Sequence, residues 1–234
     1  LNVADIIIAP NAAFDRLRQV PTWFWAFVVA SLLAIAGSLL AQPGMQHALE
    51  ISIPAQLAGD PSIAKLPPEQ QQKTIARALG MTHVMTQIGW ILVPFAILIT
   101  GVIQALILTV ANAIAKGDGD FKKFFALSVT VSVVGTGLYT IVYALIVLVR
   151  GPSAFESMTA LQTAVPGLGL LVPGAHGWLG GFLSAFNIFF LWATALLALG
   201  AIRVGRISGG AAWSASIVVL VSYALFAAFG ARNG

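Results

Sequence analysis

Few residues in this chain have the type and spacing to do chemistry, and each candidate has a simpler explanation. The three histidines, His47, His83 and His176, have no second histidine or cysteine at ligand spacing. His47 and Glu50 stand three apart on a candidate helix, which is a weak pair; interfacial histidines with a polar neighbour explain all three better than a metal. Nucleophilic catalysis needs a serine or cysteine with a base held beside it. The chain has no cysteine, no Gly-x-Ser-x-Gly elbow and no HExxH helix. Ser128 and Ser132 are four apart, the spacing of a packing face, where hydroxyls bond back to their own helix or to a neighbour. Gly117-Asp118-Gly119-Asp120 is rich in glycine, but it lacks the Lys-Ser/Thr of a phosphate loop, and its aspartates would repel phosphate. Phe121, Lys122 and Lys123 do not continue a calcium-binding loop. The stretch reads as a tight turn flanked by lysines. No metal, cofactor or catalytic group is expected, and the chain reads as non-enzymatic.

The elements that must position these residues follow from composition. Of 234 residues, 59% are hydrophobic and 9% charged, where a soluble domain carries about 25% charge. The mean hydropathy is +0.92. A soluble core could not hide so much apolar surface, but a bilayer can. The formal charge of +4 therefore reads as cationic loops at a membrane surface and not as a nucleic-acid footprint. Leu1 to Val20 carries Asp5, Asp15, Arg16 and Arg18, which does not read as a cleavable leader.

A spanning helix takes about 20 mostly apolar residues. Five runs qualify: 22–42, 84–115, 124–149, 181–202 and 211–231. None contains a charged residue, as the cost of about 2.5–3.5 kcal/mol per mid-bilayer charge requires. The runs are too long and too uniformly apolar for barrel strands. The expected fold is an all-α integral membrane bundle of five transmembrane helices with short interfacial helices. Residues 1–21 form an N-terminal interfacial segment and 22–231 the membrane domain. With the N-terminus inside, seven cations (Arg16, Arg18, Lys116, Lys122, Lys123, Arg203, Arg206) fall in short inner segments. Five (Lys65, Lys73, Arg77, Arg150, Arg232) fall in long outer ones. The positive-inside rule acts through short loops. It places the N-terminus in the cytoplasm and, after five spans, the C-terminus outside, in a membrane of the bacterial inner type.

The segments between spans carry their own signals. Asn11 to Gln19 reads as a short amphipathic helix, with Asn11 as N-cap, Phe14 and Leu17 on one stripe and Pro21 at its end. Pro67-Pro68-Glu69 starts a second helix over Gln70 to Leu79, with Gly80 past its end. A third, Gln46 to Leu57, is interrupted by Pro54. The 167–172 stretch is apolar, rich in glycine and too short to span, so it reads as dipping into the interface.

Uncharged polar groups remain inside the spans. Gln104 and Asn112 lie eight apart on one helix face, with Asn187, Tyr139 and Tyr143 placed to join them. Such a cluster either holds helices together through hydrogen bonds of about 0.6 kcal/mol each, or lines a polar path or grips a lipid head group. Gly135 and Gly137, and the small-xxx-small pair Gly177 and Gly181, permit close helix packing.

The order of these features resembles the Yip family, a domain of multi-span, Rab-interacting-type membrane proteins with a prokaryotic branch. Ala9-Pro10, Phe14 and Pro21-Thr22-Trp23 are similar to the family's entry, and Leu66-Pro67-Pro68-Glu69-Gln70 to the outer helix of prokaryotic members. Gly119 to Phe124 matches its inner turn. Phe186-Asn187-Ile188-Phe189-Phe190-Leu191-Trp192 followed by Leu196 to Gly200 is the most specific piece, with Asn187 standing where members often carry aspartate. The resemblance implies five helices and a cytoplasmic N-terminus, and for eukaryotic relatives a role in vesicle traffic. The expected function is a membrane scaffold or adaptor that binds protein partners or lipids. Its partners are the lipid bilayer and membrane proteins or further copies of itself, with no nucleic acid. The rivals are a small transporter or lipid-translocating protein and an accessory subunit of a larger membrane complex.

Overall fold

The computed structural model describes residues 3–172, 175 and 177–231; His176 and Arg232 lie outside them. The chain is an all-α integral membrane bundle with five helical spans. Two short helices come first, α1 (Asp5–Ile8) and α2 (Pro10–Gln19). The first span is α3 (Phe24–Ala58), followed by the single turn α4 (Pro61–Ala64) and the long α5 (Pro68–Ala115). The third span is composite: α6 (Phe121–Ser132), a π-helical turn (Val133–Leu138) and α7 (Tyr139–Arg150). Then come α8 (Met158–Gln162), α9 (Gly177–Ser184), α10 (Ile188–Gly205) and α11 (Gly209–Ala231).

Helix α2 starts with Pro10 in its first turn, where a missing N–H costs nothing. Its flanking residue is Ala9, which offers no side-chain cap; Asn11 lies inside the first turn, exposed. Ala13, Phe14 and Leu17 are buried on one face. That face packs on α10, where Phe14 lies over Gly200. The segment is thus clamped to the bundle, with Asp15 paired to Arg203 at 3.2 Å and Arg16 paired to Asp5.

Two elements run further than the expected boundaries. Helix α3 absorbs the separate helix expected over Gln46 to Leu57 and passes through Pro43 and Pro54. Each proline removes one hydrogen bond, but packing through the buried Ala41, Gly44 and Ala48 holds the helix. Ala48 is fully buried in a small second core with Val147, Phe155 and Leu161. Helix α5 does not stop at Gly80; it runs 48 residues from Pro68. Glycine ends a helix when it adopts a left-handed conformation; here Lys116 does so instead, at φ 53°.

The fourth span shows the opposite departure. It begins at Ile188 and not at 181, because the chain breaks between α9 and α10. Asn187 causes the break. Its side chain accepts from the N–H groups of Phe189 and Phe190, both at 3.1 Å, and donates to the Ser184 carbonyl at 3.1 Å. This caps a new helix and stops the old one.

The main core is small and tight. Ala, Val and Leu side chains from α3, α5, α6, α10 and α11 fill it, with Phe124 and Phe14 at one end. Glycines set the helix spacing. A Cβ on Gly135 would stand 3.0 Å from Ala193, and one on Gly137 would stand 3.1 Å from Leu33. On Gly181 it would stand 2.6 Å from the Ala227 carbonyl oxygen. Gly177 opens α9 at φ 56°.

Candidate functional site

The five polar residues read from the sequence do not meet. The fold separates them into two assemblies at opposite ends of the bundle and leaves Gln104 between them. Gln104 is half-buried about three-quarters of the way along α5 and makes no hydrogen bond among the described residues.

One assembly closes the end where α2, the α5–α6 turn and the α10–α11 turn converge. Asn112 is its centre. Its amide nitrogen donates to the carbonyls of Gly117 (3.3 Å) and Gly119 (2.9 Å), and its oxygen accepts from the Gly119 N–H at 3.0 Å. The Asp118 N–H donates to the Gly205 carbonyl at 2.8 Å. Arg206, in the left-handed region at φ 50°, pairs with the Asp118 carboxylate at 3.1 Å. Asp120 caps α6 by accepting from the Lys123 N–H at 2.9 Å. Side chains at Gly119 or Gly205 would overlap the Phe124 ring. Both aspartates of the Gly-Asp-Gly-Asp turn are thus engaged in structure, one to a cation and one to a helix cap. No group of three metal-ligating side chains occurs among the described residues.

The other assembly lies at the far end, beside the break before α10. Tyr139 stacks on Phe190 with ring centroids 4.9 Å apart, and Phe190 meets Tyr223 edge-on at 4.7 Å. Tyr143 stacks behind Tyr139 at 6.2 Å. The π-helical turn just before Tyr139 aims this residue. A π turn takes in one more residue than an α turn, so it rotates everything after it by about 100° relative to a straight helix. Around the aromatic trio lies a cleft of about 370 Å³, which Gln162 and Ser184 also line. Ser184 donates to the Gly181 carbonyl at 2.7 Å. The hydroxyls of Tyr139 and Tyr223 and the amide of Gln162 make no hydrogen bond among the described residues. Irregular backbone at membrane depth is tolerated where protein buries it or a cavity meets it, and both hold here. Gly167 pairs with Asn187 in an isolated bridge, through the Leu168 N–H donating to the Phe186 carbonyl at 3.1 Å.

Residues 4–229 match the Yip1 domain. The chain belongs to the Yip1 domain family. Among curated proteins, this Yip1-domain chain is similar to the "Membrane protein YknW" of Bacillus subtilis (strain 168). The two are 26% identical over 226 residues, covering 94% of this chain and 87% of the relative. No solved structure matches it.

The Yip1-domain match includes both assemblies. Gln162, Ser184, Phe190 and Tyr223 of the cleft were not among the residues picked from sequence. Tyr223 is one of only three tyrosines in the chain, and grouping it with Tyr139 and Tyr143 is the signal that would have found the cleft.

Proposed function

We propose that this Yip1-domain protein is a non-enzymatic membrane adaptor, which works by binding other membrane components, lipids or proteins, within the plane of the bilayer. The supporting observation is the separation of Asn112 from Asn187. A transporter needs polar groups converging along a path through the membrane. Here both asparagines serve their own backbone turns, and between them the core is mostly alanine, valine, leucine and glycine, its buried polar groups being the single hydroxyls of Ser31, Ser128, Thr130 and Ser216. The exposed polar capacity that remains lies in the far-end cleft, open to the side. On the distribution of lysine and arginine, the end built around Asn112 faces the cytoplasm and the cleft faces the other side of a bacterial cytoplasmic membrane.

The test is reconstitution of the purified protein in liposomes, paired with photocrosslinking from the exposed face of α5 at Val102 in native membranes. The expected result is lipid scrambling and solute flux at the level of protein-free vesicles, with a discrete cross-linked membrane component. Turnover of a substrate or flux above the protein-free level would overturn the reading.

A further inference from the structure

We propose that the far-end cleft binds a lipid with an uncharged, hydroxyl-bearing head group. This deepens the adaptor reading and rests on it.

Three observations converge. The first is unmet hydrogen bonding. Tyr139, Tyr223 and Gln162 line a shared cleft, and their hydroxyls and amide have no partner among the described residues. Tyrosine hydroxyls in largely apolar surroundings ordinarily find one. Together they offer two hydroxyls, an amide N–H₂ and an amide carbonyl, a set that matches a polyol, whose hydroxyls both donate and accept.

The second is the wall. Phe190 lies between Tyr139 and Tyr223, at 4.9 and 4.7 Å. This makes a fixed apolar floor for the C–H faces of a sugar or glycerol unit, with hydroxyl donors at its edges. Among the described residues, no charged side chain lines the cleft. A phosphate seated there would be desolvated without a counter-charge, which is costly; an uncharged head carries no such penalty.

The third is position. Tyr223 lies 14 residues past Gly209 on α11, and Gly230 lies 21 past it. At 1.5 Å per residue these are about 21 and 31 Å from the charged end. The hydrocarbon layer is about 30 Å thick, so the cleft runs from within the far leaflet, at Tyr223, up to its head-group boundary, at Gly230. Its lip is open to lipid: Phe226 is 79% exposed and Tyr223 44%. A lipid can slide in from the side with its chains against Phe226 and its head toward Gln162. The 370 Å³ of the cleft corresponds to about a dozen water volumes of 30 Å³ each, enough for a head group but not for the chains.

The test is native mass spectrometry of the delipidated full chain in detergent, titrated with monoglucosyl diacylglycerol or with phosphatidylglycerol of the same acyl chains. The expected result is at least tenfold tighter retention of the glucosyl lipid. Tyr139→Phe combined with Tyr223→Phe should weaken that retention about tenfold, with phosphatidylglycerol retention and the thermal midpoint unchanged. Gly230→Trp provides a second variant. A Cβ there meets nothing within 4 Å, so the ring can enter the cleft without disturbing the helix, and glucosyl lipid retention should be lost. Equal retention of the two lipids, or wild-type retention by both variants, would overturn the proposal. Such a failure would leave the adaptor reading intact, because that reading stands on flux and cross-linking in membranes.

Discussion

The side chain of Asn112 grips both backbone groups of Gly119, donating to its carbonyl at 2.9 Å and accepting from its N–H at 3.0 Å. Asn112 is 7% exposed, so water cannot replace these bonds. Removing it strands buried donors and acceptors. Asn112→Ala should cost about 2–3 kcal/mol, seen as a lowered thermal midpoint in detergent. Asn112→Asp should be no better, because a carboxylate would oppose the two carbonyls that the amide nitrogen now bonds. Wild-type stability for either variant would show that the turn holds without the asparagine.

Asn187 makes a milder prediction about the same substitution. There both strong bonds are accepted, from Phe189 and Phe190, at the start of α10. A carboxylate does this as well as an amide and gains from the helix dipole. Asn187→Asp keeps both of these bonds but sets a carboxylate against the Ser184 carbonyl that the amide nitrogen now bonds at 3.1 Å, so it should cost less than Asn112→Asp, which opposes two carbonyls, while Asn187→Ala should lose about 1 kcal/mol. Chemical denaturation of the two aspartate variants side by side tests the ordering.

Where a residue acts through its environment, spacing alone is a poor guide. Gln104 and Asn112 share a helix face on paper, but one lies mid-span and the other at a helix end, where loops offer partners. The five spans were legible because a bilayer imposes one length and one polarity on each. The long continuation of α5 was not, because proline and glycine are read as stops and the helix simply ran through Gly80. Phe14 and Leu17 were legible as a buried stripe. The aromatic cleft was not, because a π turn leaves no mark in residue spacing and shifts the register of everything beyond it.

Gly181 should tolerate no large side chain. Its missing Cβ lets α9 rest on the Ala227 backbone, and Gly181→Leu should cost about 1–3 kcal/mol by overpacking. The loss should be local. Limited proteolysis between Arg150 and α9 should accelerate several-fold while the rest of the bundle stays resistant.

Ser128 is 1% exposed, and its hydroxyl has no hydrogen-bond partner among the described residues. Ser128→Ala removes an unsatisfied polar group while keeping the small volume. The midpoint should stay level or rise, by up to about 1 kcal/mol. A clear fall would mean that the hydroxyl has a partner in the membrane-embedded state.

Asp60 starts the short α4, where the Ser62 hydroxyl and N–H both donate to its carboxylate, at 2.6 and 2.8 Å. These bonds hold the Asp60 carboxyl below the ordinary carboxylate value. Because the folded state titrates lower than the unfolded, the cap is fully present above the ordinary value and is lost as pH falls through the folded one. In an NMR titration, Ser62→Ala should move the Asp60 midpoint upward; an unchanged midpoint would mean the hydroxyl bond contributes nothing.

Helix α5 has 48 residues, which makes a rod of about 72 Å. Even at a steep 40° tilt, crossing 30 Å of hydrocarbon takes only about 39 Å of helix. Some 30 Å therefore extends beyond the hydrocarbon, into and past the head groups, braced by α3 where Gln42 donates to the Thr86 carbonyl at 3.5 Å. The Pro68 end of α5 thus stands clear of the hydrocarbon as one continuous rod with the span that anchors it.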